Sequence, residues 1–387
     1  MRIPLAVAAC ATVAMTLTSC GLTESNDPET GAGGPITVTS TEDGCEVSSA
    51  EADSGNVVFK VKNEGSQVTE FYFYGEDGLS IVGEVENVGP GLTRDLVLSA
   101  APGKYVTSCR PGMTGEGIRS DFTVKDSGED TTIEGVTQEA IDQATTQYAA
   151  YVKDQASLLV EKTEQFVTAY KAGEDDEARK LFPLARVHWE RVETVAESFG
   201  DLDPKTDLRE ADLEPGQKWT GWHRIEKDLW PPADGYTPMT AKQRVVYADD
   251  LQANIATLDE RVQDLTYTVD QIGNGSKGLL DEVATGKITG EEDIWSHTDL
   301  YDFQANVDGA RVGYEGLKPL LEVKDPELSA EIAERFADLQ ALLDQYRVGT
   351  EGFVFYDTVT EAQRKELSDA VNALSEPLSQ LTGAITL

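Results

Sequence analysis

Gly221-Trp222-His223-Arg224-Ile225-Glu226-Lys227-Asp228-Leu229-Trp230 sets an imidazole and a carboxylate three residues apart inside an apolar helical pattern. Residues three apart lie on one face of a helix. Trp219, Trp222, Glu226, Leu229 and Trp230 fall on one stripe, which directs His223 and Glu226 toward the packed side. A carboxylate buried there needs a partner, because unpaired buried charge is expensive. A metal ion is one such partner, and the imidazole beside it is a good ligand.

Outward from this segment the helical period persists. Ala140, Ala144, Tyr148, Tyr151 and Val152 recur at helical spacing. Similar runs continue to the end, broken at Gly173, Gly200 to Pro204, Pro231-Pro232, Gly273 to Gly278, Gly286 to Gly290 and Pro326. Residues 136–387 read as an all-α domain of long antiparallel helices, built as bundles. Upstream the period changes. Ile36-Thr37-Val38-Thr39 alternates, as do Val57 to Val61 and the neighbours of Tyr72 to Tyr74. Asn56, Gly65, Gly75, Gly89-Pro90-Gly91 and Pro102-Gly103 punctuate these runs. Residues 35–125 therefore read as a small antiparallel β-sandwich, joined to the helices by a polar linker at 126–135.

Met1-Arg2 is followed by an apolar run from Ile3 to Leu17, too short to span a bilayer comfortably. Residues 1–19 read as a secretory signal peptide. Leu17-Thr18-Ser19-Cys20 resembles a bacterial lipobox. That resemblance implies cleavage before Cys20, lipid on Cys20 and tethering to the outer face of the plasma membrane. Residues 20–34, polar and glycine-rich, make a flexible tether. No later segment has the length and apolarity of a membrane span.

Seventy acidic residues against 32 basic ones give a formal charge of −38. A phosphate backbone is repelled by such a field, which argues against nucleic acid as a partner. Cations are attracted, although acid excess also serves solubility outside the cell. With Cys20 taken by lipid, Cys45 and Cys109 remain downstream. An oxidising exterior favours a disulfide between them, and thiolate ligation of a metal is the alternative.

The three histidines all lie in the helical half, each in a distinctive segment. The first segment is His188-Trp189-Glu190-Arg191-Val192-Glu193. The third runs Ser296-His297-Thr298-Asp299-Leu300-Tyr301-Asp302-Phe303-Gln304-Ala305-Asn306. The Gly-x-His-x-x-Glu of Gly221, His223 and Glu226, with Arg224-Ile225, resembles the imelysin, or peptidase M75, domain. The other two segments resemble the EfeO branch of that family. The likeness covers roughly Thr131 to Leu387, and the preceding sandwich resembles the cupredoxin-like domain of full-length EfeO proteins. Together they imply the extracytoplasmic component of an EfeUOB-type iron uptake system, working with a membrane permease and a haem peroxidase.

Carried over residue by residue, the resemblance makes His223 and Glu226 the metal-binding pair and Glu190 a further carboxylate. It also expects an acidic residue on the following helix, where Asp249 and Asp250 are available and Asp250 is favoured. Such nitrogen and oxygen ligands suit iron, ferrous or ferric, as well as zinc or manganese. Glu190 has a second reading, as a solvated helix carboxylate paired with Arg186 or Arg191. His188 and His297 are expected to pack or to hydrogen-bond rather than to ligate.

The sandwich lacks histidine altogether, which argues against a blue-copper site. Cys45, Glu46, Glu64, Cys109, Met113 and Glu116 can compose an unusual site for copper or ferric iron, unless the cysteines pair with each other. There is no His-Glu-x-x-His and no Gly-x-Ser-x-Gly. A non-enzymatic iron-binding lipoprotein is expected, with a metallopeptidase or an envelope scaffold as alternatives.

Overall fold

A computed structural model describes residues 34–387, apart from 116, 129–132, 134, 214 and 351 and the side chains of Glu197 and Thr285. The signal peptide, the lipidation site Cys20, nearly all of the tether, and Glu116 lie outside the described residues. The architecture is an N-terminal β-sandwich followed by an all-α domain.

The sandwich has nine strands: β1 (Ile36–Ser40), β2 (Cys45–Val47), β3 (Glu51–Asp53), β4 (Gly55–Asn63), β5 (Thr69–Tyr74), β6 (Ile81–Val88), β7 (Thr93–Ala100), β8 (Gly103–Pro111) and β9 (Ile118–Lys125). One sheet has the order β2-β1-β4-β7 and the other β3-β9-β8-β5-β6. The expectation of a purely antiparallel sandwich is corrected at two places. β1 runs parallel to β4, and β3 parallel to β9. Within each pair the chain between the two strands passes through the opposite sheet, so a hairpin reversal is not imposed. Between the sheets, Phe59 packs on Phe71, Phe73 and Phe122.

Cys45 on β2 and Cys109 on β8 form a disulfide between the two sheets, with Cα atoms 5.5 Å apart. The thiolate-site reading of the sandwich therefore fails, since each sulfur is consumed by the other. Glu64 is exposed and paired with Lys62, and Met113 sits in a left-handed turn.

The helical domain comprises α1 (Gln138–Ala172), α2 (Asp175–Glu190), α3 (Glu193–Glu197), α4 (Asp203–Thr206), α5 (Trp222–Leu229), α6 (Ala241–Val262), α7 (Val269–Glu282), α8 (Asp299–Lys324), α9 (Pro326–Leu343), α10 (Glu361–Leu378) and α11 (Leu381–Thr386). Thr137, Thr240 and Thr360 cap α1, α6 and α10 through their hydroxyls. α1, α2 and α8 pack against one another and bury Phe166, Phe182, Trp189, Leu300 and Phe303. Gly273 to Gly278, expected as a break, lies inside α7. A side chain at Gly273 would meet Thr382 Oγ1 at 2.4 Å, so the glycine permits close approach of α11 instead of ending a helix. The sandwich rests on this domain. Ser99 N–H donates to Asp270 at 2.8 Å, and Asn274 donates to the Val97 carbonyl at 2.9 Å. Among the described residues no helix is long and apolar enough to cross a membrane.

The bridge closes a loop with a sequence separation of 64, for which the chain-entropy argument gives about 4 kcal/mol. Cys45→Ala with Cys109→Ala should lower the protection of β1 and β8 amides in hydrogen exchange by that amount. Protection equal to that of the unaltered chain would show that the bridge adds no constraint.

Candidate metal centre

α5 begins abruptly because Gly221 has φ 86°, a left-handed conformation suited to glycine. A Cβ there would also lie 2.0 Å from the Thr206 carbonyl oxygen. This close approach locks the start of α5 onto the end of α4. It also corrects the single-stripe reading: Trp219 precedes the helix, and Trp222, His223, Ile225, Glu226, Asp228 and Leu229 are all buried. A helix this short, buried nearly all round, holds His223 and Glu226 in the domain interior.

His223 stands between two sets of carboxylates. Its Nδ1 lies 3.1 Å from Glu226 Oε2 and 3.9 Å from Asp293 Oδ1. Its Nε2 lies 3.2 Å from Glu292 Oε1 and 3.3 Å from Asp207 Oδ1. Burial and Arg186 push the imidazole pKa down, but hydrogen bonds to Asp207, Glu226 and Glu292 outweigh them and hold it well above the usual histidine value. That direction favours the protonated ring.

Arg186, on α2 and fully buried, is the hub of the neighbouring charges. It pairs with Glu190 and Asp207, reaches Glu292 at 2.9 Å and Asp302 at 3.3 Å, and faces Asp293 at 3.8 Å. Lys287 projects from a short π-helical turn, Val283–Lys287, which follows α7. It lies 3.3 Å from Glu190, 3.2 Å from Glu193 and 3.6 Å from Glu282. Carboxylates still outnumber cations. Asp293 Oδ1, Asp299 Oδ2 and Asp302 Oδ1 are buried without a hydrogen-bond donor.

The carboxyl groups respond by splitting. Burial raises Glu190, Asp299 and Asp302 well above the usual carboxylate range. Burial, with Glu226 nearby, lifts Asp293 to about 6. Burial lifts Glu193 to about 8, against the pull of Lys287. Asp207 feels the same burial, yet Arg186 and His223 bring it down to about 2. Lys287 and His223 likewise hold Glu292 well below its ordinary value despite burial. Such a buried excess of anionic groups is the electrostatic complement of a cation.

Three groups place possible ligand atoms within 4.8 Å of one another: Asp207–His223–Glu292, His223–Glu226–Asp293 and Glu190–Glu193–Asp207. The donors are imidazole nitrogen and carboxylate oxygen, which suit iron, zinc and manganese. Glu226 is also held from behind, since its Oε1 accepts the N–H groups of Trp295 at 3.1 Å and Ser296 at 2.7 Å. That contact ties the loop carrying Glu292 and Asp293 to α5.

The structure thus brings His223, Glu226 and Glu190 into one buried network, and Asp250 is not part of it. α6 buries Ala248, Leu251, Ile255 and Leu258. Asp249 and Asp250 fall outside that stripe, and Asp249 pairs with Lys171 at 2.9 Å. The acidic partners come instead from Asp207, just after α4, and from Glu292 and Asp293, before α8. The run Glu291-Glu292-Asp293 beside Trp295 was the available signal, but nothing in its spacing aims it at α5. Glu190 does pair with Arg186, as its second reading held, although in the interior and not in solvent. His188 and His297 are absent from all three groups.

The imelysin family model matches residues 144–381, and the cupredoxin-like domain model matches residues 8–124. An Efem/EfeO family lipoprotein of Staphylococcus haemolyticus is 44% identical over 270 residues, covering 69% of this chain and 92% of its own length. Proteins described as iron uptake system component EfeO, from Escherichia coli O157:H7 and strain K12, are each 34% identical over 358 residues. Those matches cover 91% of this chain and 92% of theirs. The chain belongs to the EfeO family. In this EfeO-family member the Gly-x-His-x-x-Glu motif has a structural account: the glycine fits against Thr206, and the other two residues face Asp207, Glu292 and Asp293.

Arg186→Met should strand its carboxylates and destabilise the helical domain by about 3–5 kcal/mol in chelator-treated protein. Chemical denaturation reads this directly, and added divalent metal should recover part of the loss. An unchanged midpoint would mean that Arg186 does not balance the cluster.

Proposed function

We propose that this protein is the extracytoplasmic, lipid-anchored iron-binding component of an EfeUOB-type iron uptake system. It captures iron, ferrous or ferric, at the His223 centre and passes it to a membrane permease, with a haem peroxidase as the other partner. The observation that carries this is the buried set His223, Glu226, Asp207, Glu292 and Asp293, in which carboxyl groups outnumber the cations that Arg186 and Lys287 bring to it. The printed description of the Escherichia coli relatives as iron uptake components supports iron as the cargo. Zinc or copper fit some of the same donors less distinctively. The lipid anchor rests on the Leu17-Thr18-Ser19-Cys20 pattern and on the relative described as a lipoprotein.

We read the centre as a holding site and not a hydrolytic one. Its side chains are almost wholly enclosed, whereas a hydrolytic metal keeps a position for water and substrate. Capture begins with displacement of the proton on His223, because only neutral imidazole ligates. The carboxyl groups with raised pKa lose protons as the ion arrives. Metal binding therefore releases protons, and affinity climbs with pH.

His223→Ala, Glu226→Ala and Glu292→Gln should each weaken iron binding by at least about 10-fold, measured by titration of the full chain. Asp250→Asn should leave it unchanged. Undiminished affinity in His223→Ala would remove the site from consideration. Cleavage of mixed peptides by metal-loaded protein, lost in the same variant, would favour the peptidase alternative.

A further inference from the structure

The segments that build the metal centre have a second face. Successive helical residues are rotated by about 100°. Arg186 and Glu190 turn inward, so Leu184, Val187, His188 and Arg191 lie on the opposite side of α2. There they meet Tyr301 and Gln304 of α8, Lys162 of α1, and Arg347 and Phe353 around a cleft of about 470 Å³. That volume is in the range of small-molecule sites.

The cleft inverts the charge of the protein around it. Lys162, Arg191 and Arg347 line it, against one acid, Asp308, which Arg191 holds at 3.0 Å. The whole chain carries −38. Arg347 is fixed by Asp344 at 2.8 Å and by Gln304 at 3.0 Å, and it stacks over Phe353. Lys162 pairs with Glu161 at 3.4 Å. Leu184, Val187 and Phe353 supply apolar wall between these charges.

His188 sets the polarity of the remaining contact. It is 9% exposed, and its Nδ1 lies 2.9 Å from Gln155 Oε1. Arg191 Nη1 donates to that same atom at 3.4 Å. A guanidinium only donates, so the Gln155 atom is the oxygen and His188 Nδ1 carries the proton. Nε2 is left as a lone pair with no hydrogen-bond partner among the described residues.

We infer that this cleft binds a small organic anion carrying at least two carboxylates and a hydroxyl. Lys162, Arg191 and Arg347 receive the carboxylates, and the ligand hydroxyl donates to His188 Nε2. This site is separate from the metal centre and does not depend on the iron-binding proposal.

The test is calorimetric titration of metal-free full-length protein with citrate, with tricarballylate (the same carboxylates without the hydroxyl) and with sulfate. Citrate should bind one to one, about 5-fold or more tighter than tricarballylate, the worth of one hydrogen bond. Lys162→Gln and Arg347→Gln should each weaken citrate by about 3- to 10-fold. Lys162 lies partly exposed on α1, so its replacement leaves the fold intact. His188→Phe should abolish the preference for citrate over tricarballylate while retaining tricarballylate binding. His223→Ala should leave citrate binding unchanged. No saturable heat up to about 10 mM would overturn the inference. So would equal affinity for citrate and sulfate or tricarballylate, indifference to Lys162→Gln, or loss of citrate binding in His223→Ala.

Discussion

One buried guanidinium organises the helical domain. Arg186 faces Glu190 on its own helix, Asp207 after α4, Glu292 and Asp293 before α8, and Asp302 within α8. Taking so many charges out of water is costly, and only a dense, well-directed network offsets it. The planar fork of arginine presents five N–H donors in a fixed geometry and can serve several carboxylates at once. Lys287 extends the network toward Glu193 and Glu282. The acids around His223 belong to the same network, and Arg186 and Lys287 face more carboxyl groups there than they have charges. The candidate metal centre is thus part of a charge network, not a cavity placed beside one.

The change from two-residue to helical periodicity was legible, because each pattern reports which residues face a core. His223 and Glu226 were legible because one turn of helix determines their relation. The other acids were not. Asp207, Glu292 and Asp293 sit in connections, and their approach to α5 depends on how whole helices pack. Asp250 was favoured from its place on the next helix, but rotation about the α6 axis carries it away from the centre. Trp219 seemed to extend the stripe of α5, and the left-handed backbone at Gly221 ends the helix before reaching it. The glycines of α7 looked like a break, since composition alone does not separate a turn from a close helix crossing.

In the sandwich, the choice between disulfide and thiolate site could not be made from two cysteines in sequence. It follows from topology: β2 and β8 lie in opposite sheets whose inner faces bring Cys45 and Cys109 together. That domain has no histidine, and the bridge links its two sheets.

Glu226 answers to two masters. One oxygen faces the imidazole, and the other receives the amides of Trp295 and Ser296. A glutamine keeps the length but turns one acceptor into a donor, which either the ring or the amides must then confront. An aspartate keeps the charge and falls one methylene short of one side or the other. The permissible alphabet at this position therefore shrinks to a single letter, and the demand comes as much from the chain's own backbone as from any ion.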